Sequence, residues 1–509
     1  MMNETLWRSE LPELLKKKLT LPKYQILADA VAAAIDSGQL VHAEQLPTVR
    51  DLAGNLGVSG TTVAAAYRLL SQKGLISGKV GSGTRVAGGI ERPLPAPSSA
   101  VPLSLSRAML WRRRSQTSHI ATLLRAHPHA QNYASGTPNP DLLPLEVLQR
   151  AWVSAAEQTQ AADLQYGGPA PLPALSDLLL ERLGRDMIPA RASDLVIGSS
   201  AQQLLTLAVQ IAAGTAPKAH HTIGLEEPGY PTLLDAYERL GHRLVGIELD
   251  GEGVLPVSLE GALKRGVSAV VLTPRAHNPT GVSWSPARLV ALADVLASFP
   301  GVLIIEDDPF AEAANSRVGS LLHDPRLEDR VIYIRSFSKV IAPALRLAVA
   351  VARPPLRAQL IEGKFYSDGW SSSFSQRALA NAFADPALEG AIDRARQICN
   401  RRREAFAGAL HDLAAPGTLK VSSARDGVNV WLELGHGVSA AEVAERAAAS
   451  GVLVAAGEPF FVEVGRDDAL RVNIGMMADE AVTGVARKLV AALEDVASST
   501  PTLFSHHGL

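Results

Sequence analysis

The chain has 509 residues, 47% of them hydrophobic and 20% charged, with a formal net charge of −2 and one cysteine. That length predicts more than one folding unit, and the apolar content excludes wholesale disorder. A lone Cys399 excludes an internal disulfide and a Cys-cluster metal site; no metal is expected, and the usage fits a reducing compartment. No apolar run reaches the ~18–20 residues of a membrane helix. Residues 1–20 hold Lys16, Lys17 and Lys18 without the apolar core of a signal peptide. The expectation is a soluble, cytoplasmic protein of several domains.

Charge is unevenly spread. Residues 1–90 hold ten Lys or Arg against seven Asp or Glu, so the remainder carries the acidic surplus. A basic head on an acidic body points to nucleic acid at the head. From residue 22 the pattern predicts helix, helix, helix, hairpin. Ile26, Leu27, Ala30, Val31, Ala34 and Ile35 share one face of a first helix over 23–37, which Gly38 stops. Thr48 caps a second helix, Gly57-Val58-Ser59 turns the chain, and a third helix runs from Thr61 to about Lys73. Two short helices about a Gly-containing turn are a helix-turn-helix signature. Ser59, Thr61 and Thr62 sit at the third helix's N-terminus, where hydroxyls and backbone N–H groups meet phosphates and base edges. Two short strands follow around Gly81-Ser82-Gly83, flanked by Lys79 and Arg85 as a wing on the DNA backbone requires.

This segment resembles the GntR family of winged-helix repressors. The matching residues include Tyr24, Leu46-Pro47, Arg50, Leu52-Ala53, Leu56-Gly57-Val58-Ser59, Thr62-Val63, Tyr67 and Gly81-Ser82-Gly83-Thr84. The resemblance implies a DNA-binding domain over 20–87 that contacts double-stranded operator DNA through Arg50, Ser59, Thr61, Thr62, Lys79, Gly81, Ser82 and Arg85. The family often has arginines where Gly60 and Ala64 or Ala65 stand, so fewer bidentate guanine contacts are available here.

Five prolines among Gly, Ser and Ala over 87–104 predict an extended connection, and 88–124 reads as linker, with a basic Trp111-Arg112-Arg113-Arg114 turn inside it. Beyond 120, short β-branched runs (269–273, 302–306, 331–335) alternate with Ala/Leu-rich helical stretches. That pattern predicts an α/β domain around a mostly parallel sheet. From about 395 to 497, helices at 397–414, 439–450 and 478–497 alternate with strands at 428–434 and 470–474, a smaller α+β subdomain.

Four segments of the body put polar groups just past strand ends, where open α/β sheets bind ligands. They are Asn278-Pro279-Thr280-Gly281, Glu306-Asp307-Asp308-Pro309-Phe310, Ser336-Phe337-Ser338-Lys339 with Arg346 beyond it, and Leu470-Arg471-Val472-Asn473. Jointly and in this order they resemble a fold-type I, class I aminotransferase domain over 125–497, which binds pyridoxal 5′-phosphate (PLP). The resemblance implies that Lys339 attaches to the cofactor aldehyde, for which its amine must be neutral. Asp307 would pair with the pyridine N–H, and Asn278 would donate to the ring 3′-oxygen. Ser336, Ser338 and Arg346 would hold the phosphate, together with the helix N-terminus at Ala201 and Gln202. Tyr230 would stack on the ring, and Tyr166 would be lent across a dimer interface. Arg471 would clamp a substrate carboxylate, and Gly136 would let a ligand approach the backbone. Phe310 stands where the family normally has a tyrosine that donates to the 3′-oxygen, so transamination is expected to suffer more than binding. Pro171 and Ser176 replace a common Gly and Arg, and Ala201 replaces a frequent serine.

A GntR head, a Pro-rich linker and an aminotransferase-like body, in that order, resemble the MocR subfamily of regulators. That resemblance implies a sensor of PLP or of a PLP–amine adduct, working as a head-to-tail homodimer. The alternative reading is an active aminotransferase whose head only tethers it to DNA.

Overall fold

In a computed structural model, the described residues are 22–36, 44–72, 75–79, 83–86, 120–213, 221–435, 437–463 and 465–499, with positions 7, 11, 12 and 40. The basic turn at 112–114 and the Pro-rich stretch lie outside them. The chain forms two compact units, residues 1–103 and 104–509.

In the first unit, α1 (Lys23–Asp36), α2 (Val49–Leu56) and α3 (Gly60–Gln72) precede an antiparallel pair, β1 (Ile76–Lys79) and β2 (Gly83–Val86). Leu27, Val31, Leu52, Val63, Leu70 and Val86 form its core. Thr48 Oγ1 accepts from Asp51 N at 3.2 Å, the N-cap expected from sequence. Gly57 ends α2 in the left-handed region (φ 64°), where a side chain would be strained, and its N–H bonds Ala53 O. Residues 44–46 lie against the hairpin through an antiparallel bridge between Gln45 and Arg85, with Leu46 N donating to Thr84 O and Val86 N to Glu44 O, each at 2.9 Å.

In the second unit, the helix Ile120–Ala126 leads to β3 (Gln131–Asn132). The large sheet comprises β4 (Leu195–Gly198), β5 (Thr222–Glu227), β6 (Arg243–Asp250), β7 (Gly253–Val254), β8 (Ala269–Leu272), β9 (Leu303–Asp308), β10 (Val331–Ser336) and β11 (Ala348–Ala352). Its order is β4-β11-β10-β9-β8-β5-β6-β7, with the β10-β9-β8-β5-β6 run parallel throughout. β11 runs against both β10 and β4, and β7 against β6. Alternate residues feed opposite faces: Val331 and Tyr333 enter one core cluster, Ile332 and Ile334 the other. Burial on both faces explains why these strands read as continuous apolar runs. Six strands run the same way, so their carboxyl ends collect on one edge.

The small subdomain follows the helix Ala387–Leu413. Its strands β12 (Leu419–Val421), β13 (Asn429–Leu434), β15 (Ala455–Ala456) and β16 (Ala469–Asn473) form an antiparallel sheet in the order β12-β13-β16-β15, while β14 (Val452–Leu453) pairs in parallel with β3.

Two boundaries differ from the sequence reading. The helix Ile120–Ala126 begins inside the expected linker, because Leu123 packs with Trp431, Leu453 and Phe460. The long helix starts at Ala387 rather than 397: Leu388, Ile392, Cys399, Phe406 and Leu410 extend one buried stripe. Among the described residues no helix is long and apolar enough to cross a membrane, and no cluster of His, Cys, Asp or Glu could hold a metal.

Candidate functional site

In the head, Arg50 is exposed on the first turn of α2 and Thr61 on the first turn of α3. Ser59 is engaged rather than available: its Oγ accepts from Thr62 N at 3.2 Å and lies 2.7 Å and 2.8 Å from the hydroxyls of Thr61 and Thr62. These three side chains form one hydroxyl cluster at the N-terminus of α3, and Ser59 also takes the Thr62 and Val63 N–H groups on its carbonyl. Arg85 is exposed on β2 and donates to Gln45 Oε1 at 3.3 Å. Gly81, Ser82 and the Lys79 side chain lie outside the described residues. Gln45 was not legible from sequence, since its role depends on the bridge that residues 44–46 make with β2.

In the body, one cavity of about 190 Å³ opens at the carboxyl ends of the parallel strands. β4 delivers Ala201 and Gln202 on the first turn of the helix Ala201–Ala213. β5 delivers Tyr230, β8 delivers Asn278, β9 delivers Asp307 and Phe310, and β10 delivers Ser336, Ser338 and Lys339. Gly136 and Arg346 complete the wall among the expected residues. Arg346 sits in the left-handed region (φ 52°, ψ 51°), a conformation that costs a bulky side chain free energy and that the surrounding fold must enforce.

Lys339 Nζ donates to Gly136 O at 3.0 Å. Desolvation, helped by the nearby Arg471 cation, lowers the Lys339 pKa, while Asp307 opposes the shift. Asp307 Oδ1 is buried with no hydrogen-bond partner among the described residues. Burial, with Asp308 adding repulsion, raises the Asp307 pKa to about 7. An unpartnered buried carboxylate is costly unless a donor arrives, and a ring N–H is such a donor. Asn278 Oδ1 accepts from Arg471 Nη1 at 3.1 Å and Asn429 Nδ2 at 3.3 Å. The amide is thereby oriented by its oxygen, which leaves its N–H groups for a ligand.

Two expected residues stand off the cavity wall. Arg471 is 5% exposed; it donates to Asn278 and to Ala134 O, and lies 4.8 Å over the Phe460 ring. Burial lowers its pKa to about 10. Gly136 faces it: a Cβ there would lie 3.2 Å from Arg471 Nη1, so the close approach this glycine permits is to arginine as well as to any ligand. Tyr166 is 82% exposed and rests edge-on against Trp370 at 4.6 Å, away from the cavity of its own chain.

Sequence reasoning missed the cavity's back wall. His277 Nε2 lies 3.3 Å from Glu226 Oε2, its Nδ1 2.8 Å from Thr280 Oγ1, and Thr273 N donates to Glu226 Oε1 at 3.0 Å. Burial lowers the His277 pKa to about 3 and raises that of Glu226 to about 8, so the pair is uncharged near neutrality. Each abuts a quoted motif, His277 before Asn278 and Glu226 before Glu227-Pro228-Gly229-Tyr230, and adjacency was the available signal. Beneath the cavity, Arg275 binds Asp308 and Asp186, and Arg335 binds Asp186 and Glu312, a buried charge network that fixes β9 against β10.

Residues 137–489 match the family described as aminotransferase class I and II, and residues 23–86 match the gntR family of bacterial regulatory proteins. The chain belongs to the class I and II aminotransferase family and carries a GntR head. It is similar over that whole architecture to the vitamin B6 salvage pathway transcriptional repressor PtsJ of Salmonella typhimurium, with 29% identity over 470 residues covering 91% of this chain and 97% of that protein. It is 30% identical to the 2-aminoadipate transaminase of Thermus thermophilus, covering 77% of this chain and 98% of the relative. Among solved structures, the alpha-aminoadipate aminotransferase LysN of Thermus thermophilus, complexed with N-(5'-phosphopyridoxyl)-L-leucine, superposes with a TM-score of 0.67 at 27% identity, covering 76% of this chain and 97% of that one. The multiple substrate aminotransferase of Thermococcus profundus gives 0.69 at 25% identity, covering 78% and 98%.

The chain is thus a DNA-binding transcriptional regulator of the MocR type, a GntR-type winged helix fused to a fold-type I body. PLP is the cofactor this body takes, and its cavity fits the group. The unpartnered Asp307 oxygen, a lysine whose pKa burial lowers, and a helix N-terminus beside Ser336, Ser338 and Arg346 match the pyridine nitrogen, the aldehyde and the phosphate in turn.

Proposed function

We propose that this MocR-type regulator works in the cytoplasm as a head-to-tail homodimer whose body senses PLP, alone or joined to an amine or amino acid. The observation that carries this reading is Lys339: a half-buried amine with a lowered pKa, within one cavity of an unpartnered carboxylate oxygen on Asp307. When bound, PLP supplies an aldehyde that captures amines and a ring that draws electrons. The chain's residues do the rest. Lys339 offers the neutral amine, Asp307 accepts the ring N–H, and Asn278 donates to the 3′-oxygen. Ser336, Ser338, Arg346 and the N–H groups of Ala201 and Gln202 neutralise the phosphate. Tyr230 stacks on the ring, with Phe310 an apolar neighbour. Arg471 pairs with an effector carboxylate past Gly136, and Tyr166, exposed on its own chain, reaches the partner's cavity.

For the head (20–87), we propose that Arg50, Thr61 and Thr62 read the major groove while Lys79, Gly81, Ser82 and Arg85 lie on the phosphates, with Ser59 ordering the hydroxyl cluster. The linker (88–124) then joins it to the body (125–497). A ligand that binds two body conformations unequally biases how the joined heads sit on operator DNA. The Salmonella relative is named for vitamin B6 salvage, and we extend a link to vitamin B6 supply to this chain. The deciding experiment footprints the protein on the DNA upstream of its own gene, with and without PLP and a panel of amino acids. A footprint that ignores every one of them refutes the sensor.

One observation favours a second reading, an aminotransferase tethered to DNA: the 30% identity to a 2-aminoadipate transaminase. Phe310 weighs against it. Catalytic turnover of amino acid with a keto acid, abolished in Lys339→Ala, would establish that reading.

A further inference from the structure

The helix Leu356–Ser367 buries a lysine completely: Lys364 is 0% exposed. Its Nζ donates to both oxygens of Asp368, at 2.7 Å and 2.9 Å, and to Ser371 Oγ at 3.1 Å. A buried ion pair adds little net stability, because desolvation offsets the attraction, so packing alone does not call for a lysine here. The bonds beyond the pair run to the carboxyl end of β4. Ser199 Oγ donates to Asp368 Oδ2 and lies 3.4 Å from Ser371 Oγ, which itself donates to Ile197 O at 3.4 Å. Gln203 adds a second tie: its Oε1 accepts from Ser199 N at 2.9 Å and its Nε2 donates to Ser367 Oγ at 3.1 Å. Burial alone would raise the Asp368 pKa, but hydrogen bonds from Lys364, Ser199 and Gln203 bring it below the ordinary value.

We propose that Lys364 and Asp368 are positioning residues for the cofactor phosphate, acting through Ser199. The proposal rests on the reading above in which the N–H groups of Ala201 and Gln202 meet that phosphate. Ser199 and Ser200 are the two residues between β4, which ends at Gly198, and the helix that begins at Ala201. Backbone N–H groups bind an anion best when already aimed, since ordering them at the moment of binding costs conformational entropy. Asp368 caps the helix Leu356–Ser367, its own N–H bonding Lys364 O. Its carboxylate is therefore held by the same lysine that its backbone bonds, and it presents one oxygen to the Ser199 hydroxyl. The lysine fixes the carboxylate, the carboxylate fixes the hydroxyl, and the hydroxyl fixes the turn. Lys364, Asp368 and Ser199 do not line the cofactor cavity, so their effect on the phosphate is indirect.

The test titrates the cofactor-free full chain with PLP and, separately, with pyridoxal, which lacks the phosphate, reading near-visible absorbance. Ser199→Ala removes the one hydroxyl that joins the turn to the carboxylate and leaves the buried pair intact. It should weaken PLP binding by roughly five- to tenfold and pyridoxal binding by less than about twofold. Ser199→Thr keeps the hydroxyl and should restore the preference for PLP. Lys364→Met should lower that preference at least about tenfold; should it fail to fold, the two Ser199 variants decide the matter alone. Equal losses for PLP and pyridoxal would make the network a general support of the fold and overturn the positioning role. A preference for PLP that survives Ser199→Ala would overturn it as well, while the phosphate reading stands. If the unsubstituted chain binds PLP no better than pyridoxal, the phosphate reading itself fails and the positioning role falls with it.

Discussion

The head and the body meet their ligands in opposite ways. The head's candidate contacts are exposed and nearly contiguous in sequence: Arg50, Thr61 and Arg85 stand in solvent within 36 residues of one another. The body's come from positions as far apart as Gly136 and Arg346, brought together by strand ends and buried until the pKa values of Lys339 and Asp307 move. A reader of a polyanion keeps its cations hydrated and displaces counterions on contact. A site that captures an amine must first exclude water, so that its lysine gives up a proton more readily and its carboxylate waits for a donor. One chain thus holds a surface that depends on charge and a cavity that depends on desolvation.

The largest effects should come from crossing the two. Arg50→Ala with Thr62→Ala should abolish operator binding in a gel-shift assay and leave the near-visible absorbance of the loaded body intact. Lys339→Ala should abolish that absorbance, while the head still binds non-specific DNA. Parallel loss of both properties in either variant breaks the separation. Within the body, Asp307→Ala removes the acceptor for a charged ring donor and should weaken PLP binding by roughly 10–100-fold in an equilibrium titration.

Asp307 also sets a pH dependence. Its folded pKa of about 7 lies above the ~3.9 of an unfolded aspartate. Between those values the folded chain keeps a proton that the unfolded chain has released, so stability from this group is full below about pH 4 and is lost as pH rises to 7. Glu226 and Glu306, raised to about 8 and about 7, act in the same direction, and His277, lowered to about 3, acts in the opposite one. Asp307→Asn isolates the one group. The cofactor-free variant should gain in melting temperature over the cofactor-free wild type as pH rises from 5 to 7. A constant difference would mean that the carboxylate is already ionised and solvated.

The same contrast governs what the sequence made legible. The head's caps, turn and hairpin are local, so Thr48, Gly57 and the three helices follow from spacing and turn chemistry. The body's strands followed from apolar runs, and three of the four motifs at their ends fell on one cavity, with Arg471 standing off its wall. Partners set by tertiary packing did not follow. Nothing local says that Arg471 would orient Asn278, that Glu226 would meet His277 across two strands, or that Arg275 would be buried against Asp308. The helix Ile120–Ala126 was hidden because its apolar face makes sense only beside Trp431 and Phe460, more than 300 positions away. In the head, the same limit concealed Gln45 and the engagement of the Ser59 hydroxyl.

Charge dependence is the head's property to test next. If Lys79 and Arg85 each contact a phosphate, log affinity should fall linearly with log salt, and each alanine substitution should shallow that slope by about 0.9. A flat response would remove the wing from the interface. PLP binding, governed by desolvated groups, should change far less over the same salt range.

The smallest effect tests whether the head can be weakened without touching the body. Thr48 accepts from Asp51 N and donates to Asp51 Oδ2 at 2.6 Å, so it satisfies one N-terminal donor of α2 and anchors its first-turn carboxylate. Thr48→Ala should destabilise the head by about 1 kcal/mol, read as a lower melting transition for the head beside an unshifted, cofactor-dependent transition for the body. Thr48→Asp keeps an acceptor at the cap and should recover most of the loss. If both transitions fall together in Thr48→Ala, the two units unfold as one, and ligand state in the body would then act on the head through shared stability.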